Sequence, residues 1–368
     1  EEVTPVEAAK QIRDSLRQRL EDIEQAGEAN APHVLPRFSG SREKSIWVVA
    51  QPTRNGLAHV TFEMLGKARE LAQITKSEVA AVLLGAEGDF QVSELAARGA
   101  DRVMVLDGSG LGPIFGRGVG LSLADAVLQS GPYAVLFAST ADGRDLASRL
   151  AARLGLGLTG DAIDLEIDEE GRLVQLKPAL GGNVIAPILS KTLPNLVTIR
   201  PGQLTSAALE TGAAASVDTL QAVEFKRQDV RLVREEFQED QEGLALARAQ
   251  VVLGIGMGVG EGNVPRLQEM ARSIGASVAI TRDVSHHGWL PQQLQVGISG
   301  RTIAPKVYLA VGIRGAFNHT VGLQRAGVII AVNQNRRATF FRGSSDFGIV
   351  GDWEEFLPSL IDEIRPVL

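Results

Sequence analysis

Gln295-Val296-Gly297-Ile298-Ser299-Gly300, then Val311-Gly312-Ile313-Arg314-Gly315-Ala316-Phe317-Asn318-His319, then Ile329-Ile330-Ala331-Val332-Asn333 is the stretch that decides the fold. Two apolar strand-like runs, Lys306 to Ile313 and Val328 to Asn333, flank a helical segment that opens at Gly315. A strand that enters a glycine-bearing turn and then a helix lets the backbone come close to a pyrophosphate. The helix N-terminus there offers unpaired N–H groups and the positive end of its dipole. Glycines alone say less, because every parallel sheet needs tight strand-to-helix turns. The order of the blocks is more specific than the glycines, and it predicts a dinucleotide-binding geometry.

Upstream lies a second turn of the same kind. Val251 to Leu253 reads as a buried strand entering Gly254-Ile255-Gly256-Met257-Gly258-Val259-Gly260, and Asn263 with Pro265 signals a helix start. Val278 to Ile280 is a further strand, ending in Thr281-Arg282.

From Ser45 strands and helices alternate. The strands are Ile46 to Ala50, Val79 to Leu84, Arg102 to Leu106 and Ala134 to Ala138. The helices lie around Thr61 to Ile74, Val92 to Arg98, Leu121 to Gln129 and Asp145 to Leu154. Such alternation predicts a mostly parallel sheet with helices on both faces, an α/β fold. Residues 1–43 differ: Thr4-Pro5-Val6-Glu7 has the form of a capping box, and Ile12, Leu16, Leu20 and Ile23 fall on one helical face. The expected organisation is an amphipathic helix and tether over 1–43, an α/β domain over 44–203, a linker and edge segment over 204–245 with a strand near Val230 to Val233, and a Rossmann-like domain over 246–368. Lys67, Arg69 and Glu70 read as a solvated helix face, and Arg144-Asp145 as the capped start of a helix.

Composition narrows the function classes. A length of 368 residues exceeds one ordinary core, and 44% hydrophobic against 22% charged residues suits packed domains rather than disorder. The net charge of −7 leaves no basic stripe for nucleic acid. With no cysteine, disulfides, thiolate metal sites and a cysteine nucleophile are excluded. No apolar run approaches the roughly 20 residues a membrane span needs, so no direct membrane insertion is expected. His286 and His287 are adjacent on the chain and lack a third ligand at useful spacing, so no metal site is expected. The chain starts at Glu1 rather than methionine, which is compatible with a longer precursor.

The C-terminal blocks resemble the C-terminal domain of the electron transfer flavoprotein alpha subunit. The likeness runs through Thr281-Arg282, His287-Gly288-Trp289-Leu290-Pro291, Ala304-Pro305-Lys306-Val307-Tyr308 and Asp346-Phe347-Gly348-Ile349-Val350-Gly351-Asp352. Glu63 to Ala72, Gly143 to Ala147, Arg149 to Gly155, Gly181-Gly182-Asn183 and Arg200-Pro201-Gly202 resemble its first domain. The resemblance implies FAD bound mainly by residues 246–368. Gly256 and Gly258 flank Met257, where the family has arginine against the cofactor. Thr281 and Arg282 match its Ser-Arg pair, with the arginine near the isoalloxazine ring. Gln295 leads into Val296, Gly297, Ile298 and Ser299, in place of Val-Gly-Gln-Thr, with Ser299 keeping the hydroxyl near the flavin N5. Arg314, Gly315, Ala316, Phe317, Asn318 and His319 stand for Ser-Gly-Ala-Ile-Gln-His. Asn333 matches an adenosine-side asparagine, and Asp352 and Trp353 an acidic-plus-apolar pair.

By the same resemblance the chain pairs with a beta subunit that holds AMP or a second FAD. It accepts electrons from a flavin dehydrogenase and passes them on, commonly to a membrane quinone reductase, as a carrier with no catalytic residues of its own. Its place would be cytoplasmic in a bacterium or archaeon and the mitochondrial matrix in a eukaryote. Three alternatives stand beside this: an electron-bifurcating alpha subunit, a substrate-oxidising flavin dehydrogenase subunit, and a scaffold subunit that has lost its flavin. Met257, Ile298 and Arg314 motivate the last.

Overall fold

Ile46–Val49, Val79–Leu84 and Ala134–Ala138 are buried at every position, as strands covered on both faces must be. The computed structural model describes residues 3–29, 34–37, 44–53, 56–85, 89–107, 116–179, 184–223, 234, 236 and 240–368. The strand expected near Val230 to Val233 and the Gly181-Gly182-Asn183 turn lie outside these residues. The chain divides into two compact units, Pro32–Glu236 and a second made of Glu1–Ala31 with Phe237–Leu368.

The first unit is built on a seven-stranded sheet, parallel throughout, in the order Ser216–Leu220, Arg102–Leu106, Val79–Leu84, Ile46–Val49, Ala134–Ala138, Asn195–Ile199, Leu158–Ala162. Successive side chains of a strand point to opposite faces. Ile46 and Val48 therefore join Met64, Leu65 and Ala68 of the helix His59–Thr75 in one core. Trp47 and Val49 join Leu123 and Leu146, from the helices Arg117–Ser130 and Ala141–Leu154, in the other. A three-stranded antiparallel sheet, Asp164–Ile167, Leu173–Ala179 and Val184–Leu189, is added to this frame.

One expectation is corrected here. Lys67 and Arg69 are not on a solvated face: Lys67 Nζ lies 2.6 Å from Glu70 and 2.8 Å from Asp164, and Arg69, 4% exposed, lies 2.6 Å from Asp101. The antiparallel strand Asp164–Ile167 packs on the helix His59–Thr75, and a covered cation needs a carboxylate partner.

The second unit carries a five-stranded parallel sheet in the order Ser277–Ile280, Val251–Ile255, Val307–Val311, Val328–Asn333, Phe347–Val350. The N-terminal helix Pro5–Ala29 belongs to this unit. Thr4 and Glu7 exchange the two bonds of a capping box, Thr4 N to Glu7 Oε2 at 3.1 Å and Glu7 N to Thr4 Oγ1 at 3.3 Å. Ala9, Ile12 and Leu16 are buried in the unit's core, and Leu20 and Ile23 pack against it. The helix lies on Trp353–Ile364, with ion pairs from Arg13 to Glu363 at 2.6 Å and from Lys306 to Glu24 at 2.8 Å. At roughly 1.5 to 3 kcal/mol for each large apolar side chain fully buried, the stripe holds this helix against its ordering cost.

Candidate functional site

The strand order of the second unit fixes where a ligand can lie. Counted along the chain the five strands run 2-1-3-4-5, so the connections leaving Val251–Ile255 and Val307–Val311 go to opposite sides. A crevice opens at such a switch point, outside the carboxyl ends of the strands. Every strand of this sheet delivers sequence-predicted residues to that edge. Gly256 to Gly258 follow Ile255, Thr281 and Arg282 follow Ile280, Arg314 and Gly315 come soon after Val311, Asn333 ends its strand, and Asp352 follows Val350.

The first and third loops touch through backbone. Gly256 N donates to Val311 O at 2.9 Å and Gly258 N to Gly312 O at 3.1 Å. A Cβ on Gly256 would lie 2.3 Å from Gly312 O, and one on Gly258 2.9 Å from the same atom. Glycine at both positions lets the two loops close on each other backbone to backbone at the switch point. The helix Val264–Ser273 begins beyond it, with Pro265 in its first turn.

The loop Gln295 to Ser299 is sewn into the same edge. Val296 N donates to Ile280 O at 3.0 Å and Ile298 N to Asn318 O at 2.7 Å, and the Gln295 amide donates to Ser299 Oγ at 2.9 Å. Gly297 has φ +135, and a Cβ there would meet Asn318 O at 2.1 Å, so no other residue fits without movement. Met257 and Ile298 expose 37% and 46% of their surface, so apolar atoms stand open at this edge. Ser299, Arg314, Ala316 and Asn318 are exposed, Thr281 and Phe317 half-buried. Arg282 is exposed and donates through Nε to His286 Nε2 at 3.2 Å.

His319 is buried in the wall of the site. Its Nδ1 lies 3.0 Å from Val296 O and its Nε2 2.8 Å from Tyr308 Oη. A carbonyl only accepts, so Nδ1 carries the hydrogen and Nε2 accepts from the phenol. Burial pulls the imidazole down to about 4 against the opposing Val296 carbonyl, and it pushes the Tyr308 phenol up. The ring is neutral, with both nitrogens engaged inside the protein. Tyr308 is a site-supporting residue that sequence reasoning missed. The available signal was a hydroxyl in the aliphatic strand Val307–Val311, since a buried tyrosine needs a partner for its O–H. Gly254 makes the room: a Cβ there would sit 2.0 Å from Tyr308 Oη.

Other predicted residues carry structural bonds. Asn333 Nδ2 donates to Ile313 O at 2.9 Å, and its Oδ1 accepts from Asn335 N at 2.9 Å. Asp352 caps the helix Trp353–Ile364 by accepting from Glu354 N at 2.9 Å, and it also accepts from Gln334 at 2.7 Å. Trp353 is buried, with the Arg266 guanidinium 5.4 Å from its ring centre. Among the described residues no three His, Cys, Asp or Glu side chains gather as metal ligands.

Comparison with known proteins gives the family. Residues 46–224 match the electron transfer flavoprotein domain and residues 245–324 the electron transfer flavoprotein FAD-binding domain. The chain is 35% identical to the electron transfer flavoprotein subunit alpha of Thermoanaerobacterium thermosaccharolyticum, over 88% of this chain and 98% of that protein. It is 36% identical to the lactate dehydrogenase (NAD(+),ferredoxin) subunit LctC of Acetobacterium woodii, over 83% of this chain and 73% of the relative. It is 32% identical to the acryloyl-CoA reductase electron transfer subunit beta of Anaerotignum propionicum, over 88% and 96%.

Proposed function

We propose, for a chain that belongs to the alpha-subunit family of electron transfer flavoproteins, that FAD lies at the carboxyl edge of the five-stranded sheet. The chain is an electron transfer subunit of the alpha type and binds FAD. Proteins of this family work with a beta subunit and with other enzymes. The FAD supplies the redox chemistry, and the protein supplies orientation and electrostatics.

The observation that carries the placement is the glycine contact at the switch point, where Gly256 and Gly258 close on Gly312. Backbone free of side chains at this turn would let a diphosphate come close, and the helix Val264–Ser273 would add the end of its dipole. Gln295, Val296, Gly297, Ile298 and Ser299 would line the flavin side, with Thr281, Arg282 and the segment from Arg314 to His319. His319 holds the Val296 backbone in place. Asn333, Asp352 and Trp353 would shape the adenosine side, the first two through the turns they fix.

In this reading residues 246–368 are the cofactor domain and 44–203 the first domain, joined through 204–245. The subunit carries electrons from a flavin dehydrogenase to an acceptor such as a membrane quinone reductase and converts no substrate itself. Its beta partner holds AMP or a second FAD. No helix among the described residues is long and apolar enough to cross a membrane, which suits a cytoplasmic carrier. A second reading, an alpha subunit of a bifurcating complex, draws on the likeness to the lactate dehydrogenase (NAD(+),ferredoxin) subunit.

Extraction and identification of nucleotides from the co-purified alpha–beta pair tests both readings. One FAD per pair with one AMP is expected for the carrier, and two FAD for the bifurcating complex. A pair that holds no flavin, or turnover of an organic substrate without an added donor, would overturn the carrier.

A further inference from the structure

Two loops meet at the switch point, residues 256–264 after the first strand and 312–319 after the third. Their charges are few. The first loop carries Glu261 and no cation. The second carries Arg314, and its His319 is neutral. A dinucleotide diphosphate placed here would bring negative charge to a turn whose own acid, Glu261, repels it, with the dipole of the helix Val264–Ser273 as one counterweight.

Arg314 is built to meet it. Its carbonyl accepts from Thr339 N at 2.7 Å and from Phe340 N at 3.2 Å, which fixes the backbone two residues past Gly312. The side chain is exposed, and among the described residues its guanidinium has no hydrogen bond or ion pair. The neighbouring cations are placed otherwise. Arg282 follows the outer strand Ser277–Ile280 and uses Nε on His286, and Arg336 and Arg337 follow the fourth strand.

We propose that Arg314 is the cation that meets the diphosphate at this switch point and sets the preference for a dinucleotide over an unphosphorylated flavin. The proposal rests on the placement of FAD given above. A planar guanidinium pairs with phosphate oxygens through two parallel N–H bonds, so its removal costs affinity for the phosphates and not for the ring.

The test uses the full chain co-purified with its beta subunit, stripped of flavin, and titrated with FAD, ADP and riboflavin at low and high salt. In Arg314→Ser, FAD and ADP are expected to bind about 10- to 100-fold more weakly, with a flatter salt dependence, while riboflavin is unchanged. Arg314→Lys should recover part of the loss, which separates charge from damage to the loop. Unchanged FAD and ADP affinity in Arg314→Ser overturns the proposal, as does a riboflavin loss equal to that of FAD. Wild-type protein that binds ADP but no FAD would overturn the FAD placement and leave the ADP comparison to decide Arg314. Wild-type protein that binds neither overturns both.

Discussion

At the carboxyl edge of the seven-stranded sheet the polar side chains satisfy one another, whereas at the same edge of the five-stranded sheet bare backbone faces outward beside the Arg314 guanidinium, which has no side-chain partner among the described residues. In the first unit Ser139 donates to Asp161, Thr198 and Ser139 share a bond of 2.8 Å, and Arg144 reaches Asp161 at 2.8 Å. Thr140 caps the helix Ala141–Leu154 by accepting from Gly143 N at 3.1 Å, and its own hydroxyl donates to Gln51 at 2.9 Å. In the second unit the crevice loops carry glycine, methionine and isoleucine where such partners would stand. Parallel topology supplies a switch point, but an edge that has quenched its own donors has little left for a ligand.

Glycine replacement in each edge is the strongest way to break this contrast. Gly256→Val would drive a side chain into Gly312 O, and FAD binding is expected to fall more than about 100-fold. Gly143→Ala puts a Cβ 2.1 Å from Ala138 O, so it should cost the first unit about 1 to 3 kcal/mol of stability and leave the FAD content unchanged. Flavin absorbance and thermal unfolding of both variants decide it: equal flavin loss would mean the two edges do not differ as described.

Acid should separate the edges by pH window. Folded His319 resists protonation until about 4, while the unfolded chain takes that proton near the ordinary 6.5. Above that value neither state is charged and nothing is gained or lost. As pH falls from about 6.5 to 4 the unfolded state binds the proton first, so stability should drop by up to about 3 kcal/mol. Asp161 behaves otherwise. Burial would raise it, but the bonds from Ser139 and Arg144 outweigh burial and hold it below 3.8, so its contribution is complete above 3.8 and lost only below. Urea unfolding across this range, with His319→Asn as control, should show a slope between 6.5 and 4 that the variant lacks. The same slope in both proteins would remove His319 as its source.

The smallest effects sharpen the contrast. Tyr308→Phe removes one buried bond and leaves His319 Nε2 without its donor, a cost of about 1 to 3 kcal/mol, visible also as a change in the imidazole 15N shifts. Arg144→Ala breaks an ion pair whose partners are 53% and 45% exposed, and less than about 1 kcal/mol is expected. A larger loss for Arg144→Ala than for Tyr308→Phe, measured by the same unfolding assay, would reverse the assignment of which edge depends on a buried contact.

Much of this was legible from residue order because the central strands are unbroken apolar runs and the crevice loops are marked by glycine. The antiparallel strands from Asp164 to Leu189 were not, since Val184–Leu189 alternates between exposed and half-buried apolar residues and contains Pro187, so no single face declares itself. Burial of Lys67 and Arg69 was hidden for a related reason: the strand that holds Asp164 against Lys67 is almost 100 residues away along the chain, and Arg69 lies against Asp101 and the Pro36 carbonyl, each more than a helix length away in sequence. His319 stood out in its motif, but its partner is a tyrosine on a neighbouring strand and a carbonyl from another loop, brought together only by the sheet. Asn333 and Asp352 were visible as candidates, while the turns their side chains fix depend on backbone geometry.

The helix Pro5–Ala29 packs on Trp353–Ile364, so a helix translated early is completed by one translated much later. At about 5 to 20 residues per second, the roughly 320 residues between them take on the order of 15 to 60 s to synthesise. During that interval the whole of Pro32–Glu236 has emerged and can close its own core, while the stripe of Ile12, Leu16, Leu20 and Ile23 lacks the helix it packs on. Vectorial synthesis thus orders the assembly of this chain, the inserted unit first and the outer one last. A chain that stops short of Trp353–Ile364 carries the mark of that loss on the distant helix Pro5–Ala29, as an apolar face left open to chaperones and proteases.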